Sequence, residues 1–411
     1  MKTAVASGAA GTVAGMRPVS VAAVAVCAAL LGGIVAVGLA EVTGLGVAGS
    51  STTVVLPSEP DASAIGDQGD TPAPLPGNGF DPAAIYARRS PGVVTIYADL
   101  GASGRSQGSG FVVDAQGRVL TNAHVITNVA DGVSDVRGAD RVFVEFADGE
   151  RAPARVVGWD LFNDTGVIEI GDTDHPLRPV PLGDSDAVRV GHPVAAIGSP
   201  FGKQNSLAVG VVSATGRTID SLTSGFAISD AIQIDAPINR GNSGGPLFDA
   251  RGRVIGINAQ IQSSSGTAEG VGFAIPINSA RRSLEQLLAT GSVAYAYVGI
   301  TTQDVTPGVA RALGLPADRG ALVAAVEPGT PAERAGLRGG RDRRAVNGLD
   351  LTVGGDLIVA IDGRPVRSSD DVGRIVARSL LPGETVPFTV VRDGARRTIR
   401  VTLAERPRTT D

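Results

Sequence analysis

The sequence predicts a mainly β protein whose short strands close into barrels or pack as sandwiches, and two observations predict it. From residue 93 apolar runs recur at 93–97, 110–113, 142–146, 154–157 and 167–170, then at 194–197, 207–212, 231–234, 254–259 and 270–275, with glycine and aspartate turns between them. Regular short strands with turn signals are the pattern of such folds. Beyond them the spacing changes: residues 277–288 place Ile277, Leu284, Leu287 and Leu288 on one side, after which Ala289-Thr290-Gly291-Ser292 breaks the pattern. A helix ending at a domain boundary is expected there.

Taken from its start, the chain of 411 residues with 43% hydrophobic content suffices for two or three domains. Residues 19–40 are uncharged and apolar but for Ser20 and three glycines, and Lys2 and Arg17 precede them. That length crosses a bilayer's hydrocarbon core, and the positive flank stays inside. The expectation is a cytoplasmic segment 1–18, a transmembrane anchor 19–40 and an extracytoplasmic remainder, hence a single-pass protein of the cell membrane. The competing reading is a cleaved signal peptide ending near Gly38-Leu39-Ala40. Cys27, the one cysteine, lies in this segment, so the exported part forms no disulfide.

Residues 41–79 hold Pro57, Pro60, Pro72, Pro74 and Pro76 among small and polar residues, which reads as a disordered linker. Phe80-Asp81-Pro82 then reads as a helix start, with Asp81 as N-cap, running to about Arg89. A net charge of −5 argues against nucleic acid as the main partner. The chain shows no Walker loop, no H-E-x-x-H and no paired-cysteine spacing, so no metal and no cofactor is expected.

The chemistry centres on Gly241-Asn242-Ser243-Gly244-Gly245-Pro246-Leu247. A serine between glycines can sit on a tight turn whose N–H groups face a reacting carbonyl. Its hydroxyl needs a histidine to take the proton and a carboxylate to orient that histidine. Of the three histidines, His124 lies where a short apolar strand, 118–121, gives way to a small-residue turn. His175 and His192 read as loop and strand-edge residues. Asp164 is the candidate acid because it ends a polar turn directly ahead of an apolar run; Asp160 is the rival. The order His124, Asp164, Ser243 is that of chymotrypsin-fold proteases, not of subtilisins or α/β-hydrolases.

Thr121-Asn122-Ala123-His124-Val125, Asn163-Asp164-Thr165-Gly166-Val167-Ile168 and the Ser243 motif together resemble the HtrA (Deg) family of serine proteases. Ser109-Gly110-Phe111-Val112, Gly198-Ser199-Pro200-Phe201-Gly202, Val254-Ile255-Gly256-Ile257-Asn258 and Gly272-Phe273-Ala274-Ile275-Pro276 extend the likeness. At Thr165-Gly166 the family usually has a larger aliphatic residue followed by alanine. The resemblance implies a chymotrypsin-like double β-barrel over residues 80–292, with His124 and Asp164 in the first barrel and Ser243 in the second. It implies an oxyanion hole from the N–H groups of Gly241 and Ser243. It also suggests a homotrimer through the segment near Phe80 to Tyr86.

The specificity pocket of this fold is walled by residues just before the nucleophile and by a later strand. Here those are Pro237 and Ile238, faced by Ile257 and Ile261, with no carboxylate six residues before Ser243. Residues 293–406, through Tyr297-Val298-Gly299-Ile300 and Asp362-Gly363, resemble an HtrA-type PDZ domain. Such a domain binds C-terminal peptides at a carboxylate-binding turn and a strand edge; Val298, Ile300, Val372 and Ile375 are the expected lining. Residues 338–354, with Arg338, Arg341, Arg343 and Arg344, read as an exposed basic loop. The expected function is a serine endopeptidase acting on unfolded or exported polypeptides. A catalytically silent chaperone or PDZ scaffold is the alternative, and a small-substrate esterase a weaker third.

Overall fold

The computed structural model describes residues 79–407, apart from 132–134, 200–204, 222, 225–226, 240 and 262–269. The expected anchor at 19–40 and linker residues 41–78 lie outside the described residues. Among the described residues no helix is long and apolar enough to cross a membrane.

Helix α1, Pro82–Arg89, starts as its sequence dictates: Asp81 Oδ1 accepts from the N–H of Ala84 at 2.9 Å, and proline occupies the first turn. The first barrel follows, built from β1 (Val93–Asp99), β2 (Arg105–Val112), β3 (Arg118–Thr121), the short helix α2 (Ala123–Ile126), β4 (Arg141–Glu145), β5 (Arg151–Asp160) and β6 (Thr165–Ile170). It closes in the order β1-β2-β3-β6-β5-β4. The second barrel comprises β7 (Pro193–Gly198), β8 (Ser206–Asp220), β9 (Ala227–Ile234), β10 (Pro246–Phe248), β11 (Val254–Ile261) and β12 (Gly272–Pro276). Its order, β10-β11-β12-β9-β8-β7, repeats that of the first. Strand β10 is absent from the expected runs because three residues are too few to show a period.

Strands β1, β6, β7 and β12 read as unbroken apolar runs because both of their faces are buried, whereas β4 alternates between buried and exposed positions. Val94 and Ile96 of β1 fill the first barrel, whereas Val93 faces the layer between the barrels. In the second barrel Val194 and Ala196 of β7 point inward while Ala195 and Ile197 join that same layer. Helix α3, Ile277–Thr290, packs Ile277, Ala280, Leu284 and Leu287 onto it and ends at Gly291 in the left-handed region, but Leu288, expected on the same side, is exposed because it lies one residue round the helix from Leu287.

The C-terminal domain contains β13 (Ala296–Tyr297), β14 (Ile300–Val305), helix α4 (Pro307–Leu313), β15 (Gly320–Val326), helix α5 (Pro331–Ala335), β16 (Asp342–Val346), β17 (Leu349–Val353), β18 (Leu357–Ile361), β19 (Arg364–Pro365), helix α6 (Ser369–Ser379), β20 (Thr385–Arg392), β21 (Ala395–Thr402) and β22 (Ala404–Glu405). Its main sheet runs β14-β15-β18-β20-β21, which leaves β14 at an edge. The expected basic loop at 338–354 is instead a hairpin: β16 pairs with β17, and Val346, Leu351 and Val353 bury themselves against Val305, Val309 and Leu322. Each strand is too short for its alternation to stand out among the arginines.

Helix α6 docks on the second barrel. Arg378 bridges Asp230 and Asp186 at 2.5 Å each, and the Thr218 hydroxyl donates to Asp370 at 2.5 Å.

Candidate active site

The turn between β5 and β6 and the start of α2 meet at one carboxylate. Asp164 is 2% exposed and sits at φ 47°, a left-handed conformation that costs a non-glycine residue. Hydrogen bonds hold it there: its carbonyl accepts from Asn122 Nδ2 at 2.8 Å and from the N–H of Ala123 at 3.3 Å. The carboxylate meets His124 twice, accepting from its backbone N–H at 3.0 Å and lying 2.8 Å from Nδ1. Ring and backbone are thereby oriented together. At Gly166, a Cβ would meet Ile126 Cδ1 at 2.8 Å and the Asn122 carbonyl at 2.9 Å, so the small residue here makes room for the α2 turn.

Burial by itself disfavours charge on the His124 ring, but the adjacent Asp164 charge and its hydrogen bond outweigh it and raise the pKa above the ordinary imidazole value. Asp160 does not reach the histidine. Its Oδ1 accepts from the N–H groups of Phe162 and Asn163 at 2.9 and 3.3 Å, and its Oδ2 from Ser283 and Tyr295 hydroxyls at 2.6 Å each. Burial pushes this carboxyl above its usual range, and those four donors offset part of the effect.

Ser243 lies on the turn ahead of β10. Its hydroxyl donates to the Ala259 carbonyl at 2.9 Å and, among the described residues, makes no hydrogen bond with His124. The turn is clamped from the first barrel: the Ser109 N–H donates to the Ser243 carbonyl at 2.8 Å and its hydroxyl to the Gly241 carbonyl at 2.6 Å. Thr121 in turn donates to the Ser109 carbonyl at 2.6 Å. Gly244, at φ 86°, is required by this approach, since a Cβ would lie 2.1 Å from the Ser109 carbonyl oxygen. Among the described residues, the N–H groups of Gly241 and Ser243 donate to no other group. A carboxylate-held imidazole, a nearby hydroxyl and two undirected N–H groups can perform acyl transfer once the hydroxyl turns to the ring.

Pro237 is exposed, Ile238 is buried with the second barrel's interior and Ile257 lies in the layer between barrels; the Ile261 side chain is outside the described residues. At Gly272 an added Cβ would lie 2.9 Å from Ile238 Cγ1, so the glycine makes room for that side chain. Ser109, Thr121 and Tyr295 were missed as site-shaping groups, because their partners are remote in sequence. His192 Nδ1 accepts from the N–H of Arg189 at 3.3 Å. His175 stacks on Phe146 and lies within 4.8 Å of Asp148 and Glu150, the one cluster among the described residues with metal-ligating side chains, outside this site.

In the C-terminal domain Tyr297 pairs with Ala404 and donates its hydroxyl to Glu327; burial and that carboxylate push its pKa to about 12. Val298 is buried and its carbonyl accepts from Ala332 at 2.9 Å. Gly299, at φ 82°, passes so close to Thr330 that a Cβ would meet that residue's Cβ at 2.3 Å. Ile300 then opens edge strand β14, with Val372 and Ile375 of α6 in the same apolar cluster as Val298.

Residues 108–257 match the trypsin-like peptidase domain family and residues 296–403 the PDZ domain family. The chain is 39% identical over 302 residues to a probable periplasmic serine endoprotease, DegP-like, of Brucella suis, covering 74% of this chain and 53% of that one. It spans about half the length of the curated relatives it matches. Among solved structures, the HtrA-type protease AlgW with tripeptide superposes with TM-score 0.65 at 34% identity, over 80% of this chain and 98% of that one. A serine endoprotease from Yersinia pestis does so with TM-score 0.55 at 29% identity, over 81% and 100% of the two chains.

Proposed function

The chain belongs to the HtrA family of serine proteases, with a trypsin-like peptidase domain and one C-terminal PDZ domain, and on that premise we propose that it is a serine endopeptidase cleaving unfolded or exported polypeptides. The reading rests on the double contact of His124 with Asp164, which leaves the far ring nitrogen as an oriented base. Ser243 Oγ attacks the scissile carbonyl as His124 takes its proton. Asp164 steadies the resulting imidazolium, and the N–H groups of Gly241 and Ser243 receive the oxyanion. His124 then protonates the leaving amine, and water repeats the sequence on the acyl-enzyme. Before attack the hydroxyl must leave the Ala259 carbonyl, so the serine side chain rotates at the start of each cycle.

The specificity pocket expected at Pro237, Ile238, Ile257 and Ile261 takes an apolar side chain, and the edge of β14 takes a C-terminal peptide. The periplasmic relatives favour an extracytoplasmic site of action, residues 19–40 serve as a membrane anchor with 41–79 as the linker, and the segment around α1 offers a trimer contact. Casein unfolded by reduction and incubated with the full chain should be hydrolysed, and Ser243→Ala should lower the rate by several powers of ten. Retention of casein without cleavage by the unaltered chain would select the silent-scaffold reading instead.

A further inference from the structure

A cavity of about 430 Å³ opens between helix α3 of the protease domain and helix α6 with strand β19 of the C-terminal domain. Four arginines line it: Arg282 from α3, Arg374 and Arg378 from α6, and Arg364 from β19; Asp186 is the one acidic residue among them. Guanidinium groups around one cavity repel each other unless anions intervene, and here the balance is incomplete. Arg378 is taken up by Asp186 and Asp230, and Arg374 by Asp371. Arg282 and Arg364 have no carboxylate partner among the described residues. Arg282 lies over the Tyr295 ring at 4.9 Å, and its Nε is buried with no acceptor. A guanidinium that lines a cavity without a carboxylate partner keeps its charge uncompensated there until an anion supplies one.

We propose that this interdomain cavity is a binding site for a small multivalent oxyanion of the phosphate class, held by Arg282 and Arg364. Planar guanidinium forks match tetrahedral phosphate oxygens in pairs, which a single chloride cannot satisfy. Asn278, also in the lining, is held by its own bond, Nδ2 donating to Asp184 at 2.7 Å. Because α3 and α6 belong to different domains, the bound anion ties them together. The site uses no group of the proposed catalytic machinery.

Calorimetry and thermal melting of the full chain with sodium pyrophosphate, at ionic strength held constant with sodium chloride, test the assignment. Saturable binding of one anion per chain with a raised melting midpoint is expected. Arg364→Gln and Arg282→Gln should each weaken it tenfold or more, and Arg396→Gln, on the exposed face of β21, should not. Arg364 is exposed on a hairpin, so its variant should fold even where Arg282→Gln does not. Absence of saturable binding, survival of binding in Arg364→Gln, or an equal midpoint shift from sodium chloride alone would each overturn the site. Binding to phosphatidic acid vesicles without binding to pyrophosphate would overturn a free anion as its ligand.

Discussion

The Tyr295 hydroxyl, at the threshold of the C-terminal domain, donates to Asp160 at 2.6 Å and accepts from Asn163 Nδ2 at 2.6 Å. One phenol thus closes the back of the turn whose front presents Asp164 to His124. Tyr295→Phe should keep the ring packing against Phe162 but leave Asn163 and one Asp160 bond unpaired. A loss of about 1–3 kcal/mol of stability is expected by denaturant titration. A stability equal to that of the unaltered chain would mean that the hydroxyl contributes nothing to the turn.

Asp164 and Asp160 should separate cleanly when each is changed to asparagine. Asp164→Asn disturbs the tautomer of His124 and should cost roughly 10⁴ in turnover. Asp160 meets only backbone N–H groups and hydroxyls, and the hydroxyls can reverse to accept from an amide. Asp160→Asn should therefore cost less than about tenfold, and comparable losses in both variants would move the orienting role off Asp164.

Because the folded His124 has a raised pKa, activity should fall on the acid side with a midpoint above the ordinary value of about 6.5. The sign for stability follows from linkage. The attraction of Asp164 for the protonated ring contributes fully below the unfolded-state pKa and is lost as pH rises through the raised folded value. Proton NMR titration of His124 in Ser243→Ala should show the raised midpoint, and Asp164→Asn should lower it; a midpoint below 6.5 in the parent protein contradicts the assignment.

Cleavage should follow Val, Ala, Leu or Ile if the specificity pocket lies at Pro237, Ile238, Ile257 and Ile261, since a pocket without a carboxylate leaves a guanidinium's desolvation uncompensated. Mass spectrometry of peptides released from a denatured protein reads this directly, and cuts mainly after Arg or Lys would refute it.

Peptides with a free C-terminal carboxylate and an apolar last residue should bind the edge of β14 with dissociation constants around micromolar, or roughly 8 kcal/mol. C-terminal amides should bind much more weakly in the same calorimeter. Equal affinity for both would mean that the turn at Gly299 holds no carboxylate.

The fold class was legible in the sequence because strands such as β1, β6, β7 and β12 are buried on both faces, which turns local alternation into continuous apolar runs, while β4 keeps one exposed face and alternates. The first helix was legible for a local reason too, since Asp81 and Pro82 act within one turn. His124, Asp164 and Ser243 were legible as motifs whose chain order carries information. The sequence ranked Asp164 ahead of Asp160 within one polar turn, and the tertiary structure gave each its partner, His124 for Asp164 and Ser283 with Tyr295 for Asp160. Tertiary structure alone turned Ser243 toward Ala259, brought Tyr295 to Asp160 across 135 residues and assembled four arginines from three elements around one cavity. Contacts of that kind join side chains far apart in sequence, and local patterning records a residue's burial without recording its partner.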